Sequence, residues 1–370
     1  MTIAQDTCRP VGPPLRVPAF EPHPWLWNGH LQTIGARYLT GPRLALPSVY
    51  HEIELDDGDR LSVLIATPPG WTPDRPTALL VHGLAGCARS PYVVRTASKL
   101  VALGARTVRM NLRGSGSGFG SARGIYHAGR TGDLRAVAEW LARRDPGSPL
   151  ALVGFSLGAA LVLKLAGEAA TDPLDTLDAV VAANPPIDLA ACSGQIQRRE
   201  NRIYDRNFLK NLRAQIRRLH DAFPEIGPVD LSQVRSLYEF DDLYTAPRNG
   251  YRGAVDYYAR NSAGPLIPRI QVPGLVIHAE DDPFIPLEPF LRVRFPSRLA
   301  LELNSHGGHL GYFSRDRWEG DRRWLEARLA AWLAAHWAAN LPGRAGVSGD
   351  RTIPEPRHGG PNLHARHHLQ

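Results

Sequence analysis

Residues 150–170 read LALVGFSLGAALVLKLAGEAA, an apolar run, a Gly-X-Ser-X-Gly motif and a second apolar stretch. Leu150–Val153 has the length of a buried strand, and Ala159–Ala170 has the residue pattern of a helix. The glycines two residues on either side of Ser156 leave room for the backbone to turn sharply. This strand–turn–helix context predicts a nucleophile elbow, which lifts the hydroxyl of Ser156 above the edge of a sheet.

Short apolar runs of strand length recur along the chain, and segments of helical period separate most of them. They lie at Thr77–Val81, Arg106–Asn111, Leu150–Phe155, Ala179–Ala183, Gly274–His278 and Ala300–Leu303. Before them, Val49–Ile65 alternates around an Asp-Asp-Gly turn and predicts an antiparallel hairpin. Strands that alternate with helices predict an α/β fold, with a mostly parallel central sheet and helices on both faces.

The regular spacing stops after Ala183, because residues 185–273 separate two strands that one helix would normally join. Arg206–Ala222 and Tyr251–Asn261 have helical patterns within this stretch. A long insertion at the carboxyl edge of a sheet predicts a helical cap over the active site.

The sequence predicts a main domain with a further segment at each end of the chain. Residues 1–20 are rich in proline and predict a loosely packed N-terminal segment, followed by one domain over residues 21–340. A tryptophan- and leucine-rich helix over about Arg317–Ala339 is expected to pack against the sheet. Residues 341–370 lack periodicity and predict a disordered tail.

A serine hydroxyl needs a neighbouring base, and the base needs an acid to orient it. Asp281 and Asp282 follow one predicted strand, and His306 and His309 follow the next. We favour Asp282, because the proline after it restricts its backbone and so fixes the turn that aims the carboxylate. Asp281 is expected to cap that turn. We favour His309, because the two glycines before it suit a loop that returns to the nucleophile.

The oxyanion of a tetrahedral intermediate requires two backbone N–H donors. One is expected from Leu157, directly after the nucleophile. The other is expected from Leu84, in the loop His82-Gly83-Leu84-Ala85-Gly86 that follows the strand Thr77–Val81.

Several motifs together resemble the YheT-type branch of the α/β hydrolases, the AB hydrolase 4 family, over about residues 22–316. They are Asn28–Thr33, Val81–Gly86, Ser90–Tyr92, Met110–Gly114, Tyr126–Gly129, Gly154–Gly158, Asn184–Pro186, Asp281–Phe284 and His306–Gly311. The resemblance implies an α/β-hydrolase fold, esterase or lipase activity on acylglycerols or related esters, and a triad matching Ser156, Asp282 and His309. No role for Asn28–Thr33 follows from its residues.

The composition of the chain limits which binding partners are expected. The formal net charge is +7, but the basic residues are spread along the chain and only three of the 43 are lysine, so no nucleic-acid partner is expected. Three widely spaced cysteines, with no apolar leader, favour a cytoplasmic protein. We expect no cofactor, no metal and no membrane-spanning segment, and leave peripheral membrane contact open.

These features predict hydrolysis of short- to medium-chain carboxylic esters or acylglycerols through an acyl-serine intermediate. An acyltransferase that uses the same acyl-enzyme is the enzymatic alternative. A non-catalytic protein that binds a ligand on a hydrolase scaffold is a third interpretation.

Overall fold

The computed structural model describes residues 17–39, 45–318 and 321–340. The strands in these described ranges are β1 (Val49–Glu54), β2 (Arg60–Ala66), β3 (Thr77–Val81), β4 (Arg106–Met110), β5 (Leu150–Phe155), β6 (Leu177–Ala183), β7 (Gly274–Ala279), β8 (Leu299–Asn304), β9 (Phe313–Trp318) and β10 (Asp321–Arg323). The first eight form one sheet in the order β1-β2-β4-β3-β5-β6-β7-β8. β1 and β2 form the predicted antiparallel hairpin, and β2 is also antiparallel to β4. All other pairs in this sheet are parallel, which confirms the predicted mostly parallel sheet.

The helices are α1 (Gly29–Tyr38), α2 (Pro91–Ala102), α3 (Thr131–Arg144), α4 (Leu157–Glu168), α5 (Leu189–Ile196), α6 (Arg202–Ala222), α7 (Leu237–Phe240), α8 (Ala246–Arg248), α9 (Ala254–Asn261), α10 (Glu288–Arg292) and α11 (Trp324–Asn340). A π-helical turn, Asp241–Thr245, joins α7 to α8.

The two faces of the sheet carry separate apolar cores, because successive side chains of a strand point to opposite faces. Leu79 and Val81 of β3 lie in the core that α3 and α4 cover. Ala78 and Leu80 lie in the core that α2 and α11 cover. Helices therefore cover both faces, as predicted.

Residues 185–273 join β6 to β7 and contain α5 to α9. α6, α7 and the π-helical turn share a small apolar cluster that includes Leu212, Ile216, Phe240 and Tyr244. The insertion therefore carries a core of its own beside the carboxyl edge of the sheet.

The C-terminal helix begins later than predicted. α11 starts at Trp324 rather than Arg317, because β9 and β10 form an antiparallel pair just before it. Its apolar side chains, among them Leu329 and Leu333, are buried against the sheet, which agrees with the predicted packing. None of the described helices is long and apolar enough to cross a lipid bilayer.

The N-terminal segment is described only from Val17 onward, where it contacts the domain although Pro18 and Ala19 are exposed. The Trp324 indole N–H donates to the Pro18 carbonyl at 2.7 Å, and the Phe20 ring lies 5.3 Å from the ring of Tyr312. Residues 1–16 and the predicted disordered tail, residues 341–370, lie outside the described residues.

Arg113, in the loop after β4, is buried and pairs with three carboxylates. Its guanidinium lies 2.6 Å from each of Asp57, Asp59 and Asp133. The β1–β2 turn supplies the first two, and α3 supplies the third. Asp59 also faces Arg123 at 3.8 Å, and the side chain of Arg123 is 57% exposed.

We expect Arg113→Gln to lower the free energy of unfolding by about 3–5 kcal/mol, because it leaves buried carboxylates without a counter-charge. The matched Arg123→Gln variant removes an exposed partner of the same Asp59 and should cost less than about 1 kcal/mol. Urea unfolding of both variants measures the difference. Equal losses would show that the buried position of Arg113 contributes nothing.

Candidate active site

Ser156 lies between β5 and α4 with a φ of +53°. This left-handed backbone is strained for a residue with a side chain. A Cβ on Gly154 would lie 2.4 Å from the Gly158 carbonyl oxygen, and one on Gly158 would lie 2.4 Å from the Val81 carbonyl oxygen. Both positions therefore require glycine, because the backbone of the turn approaches itself and the end of β3.

The predicted site residues come together at the carboxyl edge. Ser156 Oγ lies 2.8 Å from His309 Nε2, and His309 Nδ1 lies 2.8 Å from Asp282 Oδ2. The other members of the two candidate pairs contact each other instead, with His306 Nδ1 3.3 Å from Asp281 Oδ2. Neither of these two is hydrogen-bonded to Ser156.

Asp282 is fully enclosed and well supplied with donors. The Phe284 and Ile285 N–H groups donate to its Oδ1 at 2.8 and 3.2 Å, and the Asn184 amide donates to Oδ2 at 2.7 Å. Burial raises the pKa of Asp282, but the neighbouring His309 and these hydrogen bonds more than offset it, so the pKa lies below its usual value. The ionised carboxylate accepts the Nδ1–H of His309, which leaves Nε2 as an acceptor facing Ser156.

The loop that carries His309 is held from two sides. The Gly308 N–H donates to Asp281 Oδ1 at 2.8 Å, and the His309 N–H donates to Thr33 Oγ1 at 2.8 Å. Gly308 has a φ of +55°, and a Cβ there would lie 2.2 Å from the Gly29 carbonyl oxygen. Gly308 therefore permits close contact with α1, whereas a Cβ on Gly307 would lie 2.6 Å from the Tyr312 ring. Asp281 holds this loop, instead of capping its own turn as expected.

Sequence reasoning assigned no role to two residues that support the site. Asn184 donates both to Asp282 and to the Gly308 carbonyl oxygen, the latter at 3.1 Å. It directly follows β6, so the rule that functional groups gather at strand carboxyl ends could have identified it. Thr33 gave no such signal, because its partner His309 is 276 positions away. This contact gives the Asn28–Thr33 segment a role.

The two expected oxyanion donors lie beside the nucleophile. The N–H groups on either side of Leu84 donate to the hydroxyls of Tyr92 and Tyr126, at 3.1 and 2.8 Å. The N–H groups of Leu84 and Leu157 themselves donate to no acceptor in the part of the chain that the structure describes. Both residues line the same cavity as Ser156.

This cavity measures about 110 Å³ and opens onto Ser156 and His309. Its walls are mainly apolar and aromatic, and the insertion supplies most of them. The apolar and aromatic side chains of the walls include Leu189, Ile196, Phe208, Leu212 and Phe240 from the insertion, and Phe284 from outside it. Among the residues in the three described ranges, no group of three His, Cys, Asp or Glu side chains could hold a metal ion.

Polar groups also reach this cavity from the insertion. Asp241 Oδ2 lies 2.8 Å from Tyr258 Oη, and Tyr258 Oη lies 3.3 Å from Ser193 Oγ. Burial raises the pKa of Asp241 to about 6, although hydrogen bonds from Tyr258 and Thr245 act in the opposite direction. No motif in the sequence pointed to this cluster.

A family model described as the alpha/beta hydrolase fold matches residues 76–316. Together with the sheet and the elbow, this match shows that the chain belongs to the α/β-hydrolase family. It is an esterase- and lipase-like enzyme of that class.

Within the class, the chain belongs to the YheT-type family. It is 35% identical to YheT of Escherichia coli, over 84% of this chain and 92% of that protein. The monoacylglycerol lipase of Saccharomyces cerevisiae is 29% identical over 70% of this chain and 59% of its own length. Phospholipase ABHD3 of Mus musculus is 29% identical over 83% of this chain and 75% of its own length.

Solved structures agree on the fold. The Pyrococcus furiosus esterase Pf2001 has a TM-score of 0.54 at 15% identity, over 81% of this chain and 97% of that one.

Thr33→Val should slow the reaction of Ser156 with a fluorophosphonate by about 10- to 100-fold, since losing the acceptor for the His309 N–H lets the imidazole move. Thr33→Ser keeps the hydroxyl and should react nearly as fast as wild type. Labelling rates, measured on folded protein, provide the comparison. A valine variant that labels at the wild-type rate would exclude a positioning role for Thr33.

The difference in stability between wild type and Asp241→Asn should depend on pH. The raised pKa of Asp241 means that ionisation between about pH 4 and pH 6 destabilises the folded state, with the full penalty present above pH 6. Asparagine carries no such penalty, so the variant should gain about 1–3 kcal/mol relative to wild type between pH 4 and pH 7. Urea unfolding at both pH values measures it. A constant difference would contradict burial of the carboxyl group.

Proposed function

We propose that this chain is a serine hydrolase that cleaves carboxylic esters through an acyl intermediate on Ser156. The observation that carries the proposal is the hydrogen-bonded series Ser156–His309–Asp282, with 2.8 Å at each step. A neutral imidazole that accepts from the serine and donates to a buried carboxylate is the arrangement that activates a hydroxyl nucleophile.

In the first half of the reaction, His309 Nε2 takes the Ser156 proton while Oγ attacks the ester carbonyl. The developing oxyanion accepts hydrogen bonds from the free N–H groups of Leu84 and Leu157, each worth about 3–4 kcal/mol in the transition state. His309 then returns the proton to the leaving alcohol. In the second half, His309 activates water to release the acid. Asp282 stabilises the imidazolium throughout without itself taking up the proton.

The cavity supports an ester with an apolar chain. Each buried methylene contributes about 0.8 kcal/mol, and a cavity of about 110 Å³ favours short to medium chains over long ones. We propose that residues 185–273 act as the cap, because their side chains form most of the cavity wall. Lipid esters also fit the relatives named monoacylglycerol lipase and phospholipase.

Hydrolysis of a p-nitrophenyl ester series tests the proposal, with fluorophosphonate labelling of the same samples. Wild type should be labelled and should turn over, with the highest rates on short- to medium-chain esters. Ser156→Ala and His309→Gln should lower kcat by about 10⁴- to 10⁶-fold. Asp282→Asn should lower it by about 10⁴-fold, because the asparagine favours the wrong imidazole tautomer.

His306→Gln is the matched control for His309→Gln, since it alters the neighbouring histidine by the same chemistry. It should retain kcat within about tenfold of wild type, because the His306 side chain is hydrogen-bonded to Asp281 and not to Ser156 or Asp282. Folded wild-type protein that neither labels nor hydrolyses any ester would leave only a ligand-binding role. If His306→Gln lowered kcat as much as His309→Gln does, the assignment of His309 as the base would be wrong.

A further inference from the structure

The side of the cavity that the insertion forms contains a polar cluster that the proposed hydrolysis does not use. Asp241, Tyr258 and Ser193 all line the cavity and form a hydrogen-bonded series. None of the three is hydrogen-bonded to Ser156 or His309. A polar cluster in a mainly apolar cavity fixes the orientation of a ligand more than it adds affinity.

The cluster presents acceptors rather than donors to the cavity. Tyr258 has one proton, and the 2.8 Å contact with Asp241 is the shorter of its two. When Tyr258 donates there, Ser193 donates to the Tyr258 oxygen. Tyr258 and Thr245 together satisfy about two of the four acceptor sites of the Asp241 carboxylate. The remaining acceptor sites can accept a hydrogen bond from a ligand in the cavity.

No counter-ion balances Asp241. Among the residues that the structure describes, no Lys, Arg or His side chain forms an ion pair with it, and its two hydrogen-bond donors are hydroxyls. A part-buried carboxylate without a cation is costly, so such a group is typical of a binding site that a ligand completes.

The surroundings favour a neutral donor over an ammonium group. His127 lines the same cavity, where burial and then the positive charges of Arg130 and Lys164 lower its pKa to about 3. The same burial, together with these two positive charges, also opposes an added ammonium group. A hydroxyl group can donate to Asp241 without adding charge.

We infer that Asp241, Tyr258 and Ser193 form a subsite that recognises a hydroxyl group on the ester substrate. The inference rests on the proposed ester hydrolysis and deepens it by naming the polar group that the substrate carries. A buried site that is built to hydrogen-bond a hydroxyl discriminates strongly against an alkyl analogue, because the analogue leaves the acceptors unpaired.

Esters matched in size test this. On the alcohol side, 4-hydroxybutyl butanoate is compared with pentyl butanoate and with 4-aminobutyl butanoate. On the acyl side, p-nitrophenyl 6-hydroxyhexanoate is compared with p-nitrophenyl heptanoate. Wild type should prefer the hydroxyl ester over its alkyl match by about tenfold or more in kcat/KM, in at least one of the two series.

Asp241→Asn and Tyr258→Phe should each reduce this preference at least about fivefold. The control is Asp242→Asn, which changes the adjacent carboxylate. Asp242 caps α9 by accepting from the Ala254 N–H at 2.7 Å and does not line the cavity, so the preference should persist. Because the readout is a ratio between two esters on one protein sample, partial unfolding of a variant cancels. Ser193→Ala replaces any variant that does not fold.

Three results would overturn the inference while leaving ester hydrolysis intact. The first is a wild type that cleaves the alkyl and hydroxyl esters with equal kcat/KM. The second is an Asp241→Asn variant that loses kcat/KM equally on both esters. The third is a wild type that prefers the amino ester over the hydroxyl ester. Absence of hydrolysis and of fluorophosphonate labelling in wild type would instead refute the proposed function itself.

Discussion

The site depends on one close backbone contact, the packing of the turn at Ser156 against the end of β3. A side chain at Gly158 would meet the carbonyl oxygens of Val81 and His82 at 2.4 and 2.5 Å. Because that space is empty, the start of α4 lies directly beside the loop His82–Gly86. Ser156, Leu84 and Leu157 then line the same cavity. The strained φ of Ser156 persists because the surrounding sheet and helix hold it there.

The rest of the site is built by parallel strands that end at one edge. β3, β5, β6, β7 and β8 are followed respectively by the loop His82–Gly86, Ser156, Asn184, Asp282 and His309. α1 then holds the histidine loop from outside the sheet, through Thr33. The ends of neighbouring strands therefore position the polar groups of the Ser156–His309–Asp282 series, and the insertion contributes most of the cavity wall and the Asp241 cluster.

Much of the fold and of the candidate site could be predicted from short stretches of sequence. Strand positions, the hairpin and the elbow follow from patterns within a few residues, and the order Ser, acid, His narrowed the site to two pairs of neighbours. The predicted start of α11 was wrong because β9 pairs with β10 just before the helix. A pairing between two short strands leaves little trace in the periodicity of apolar residues. Asn184 was overlooked although its position after β6 follows the same rule as Asp282.

The sequence by itself determined the class of fold, the proposed nucleophile and the region of the chain that holds each of its proposed partners, because these depend on local backbone geometry and strand order. Only the tertiary structure showed that Asp282 and His309, rather than Asp281 and His306, form the hydrogen-bonded series with Ser156, since neighbouring side chains on a loop differ in direction rather than in chemistry. It alone revealed Thr33 and Asp241, because contacts between distant segments arise from packing, which no local pattern encodes.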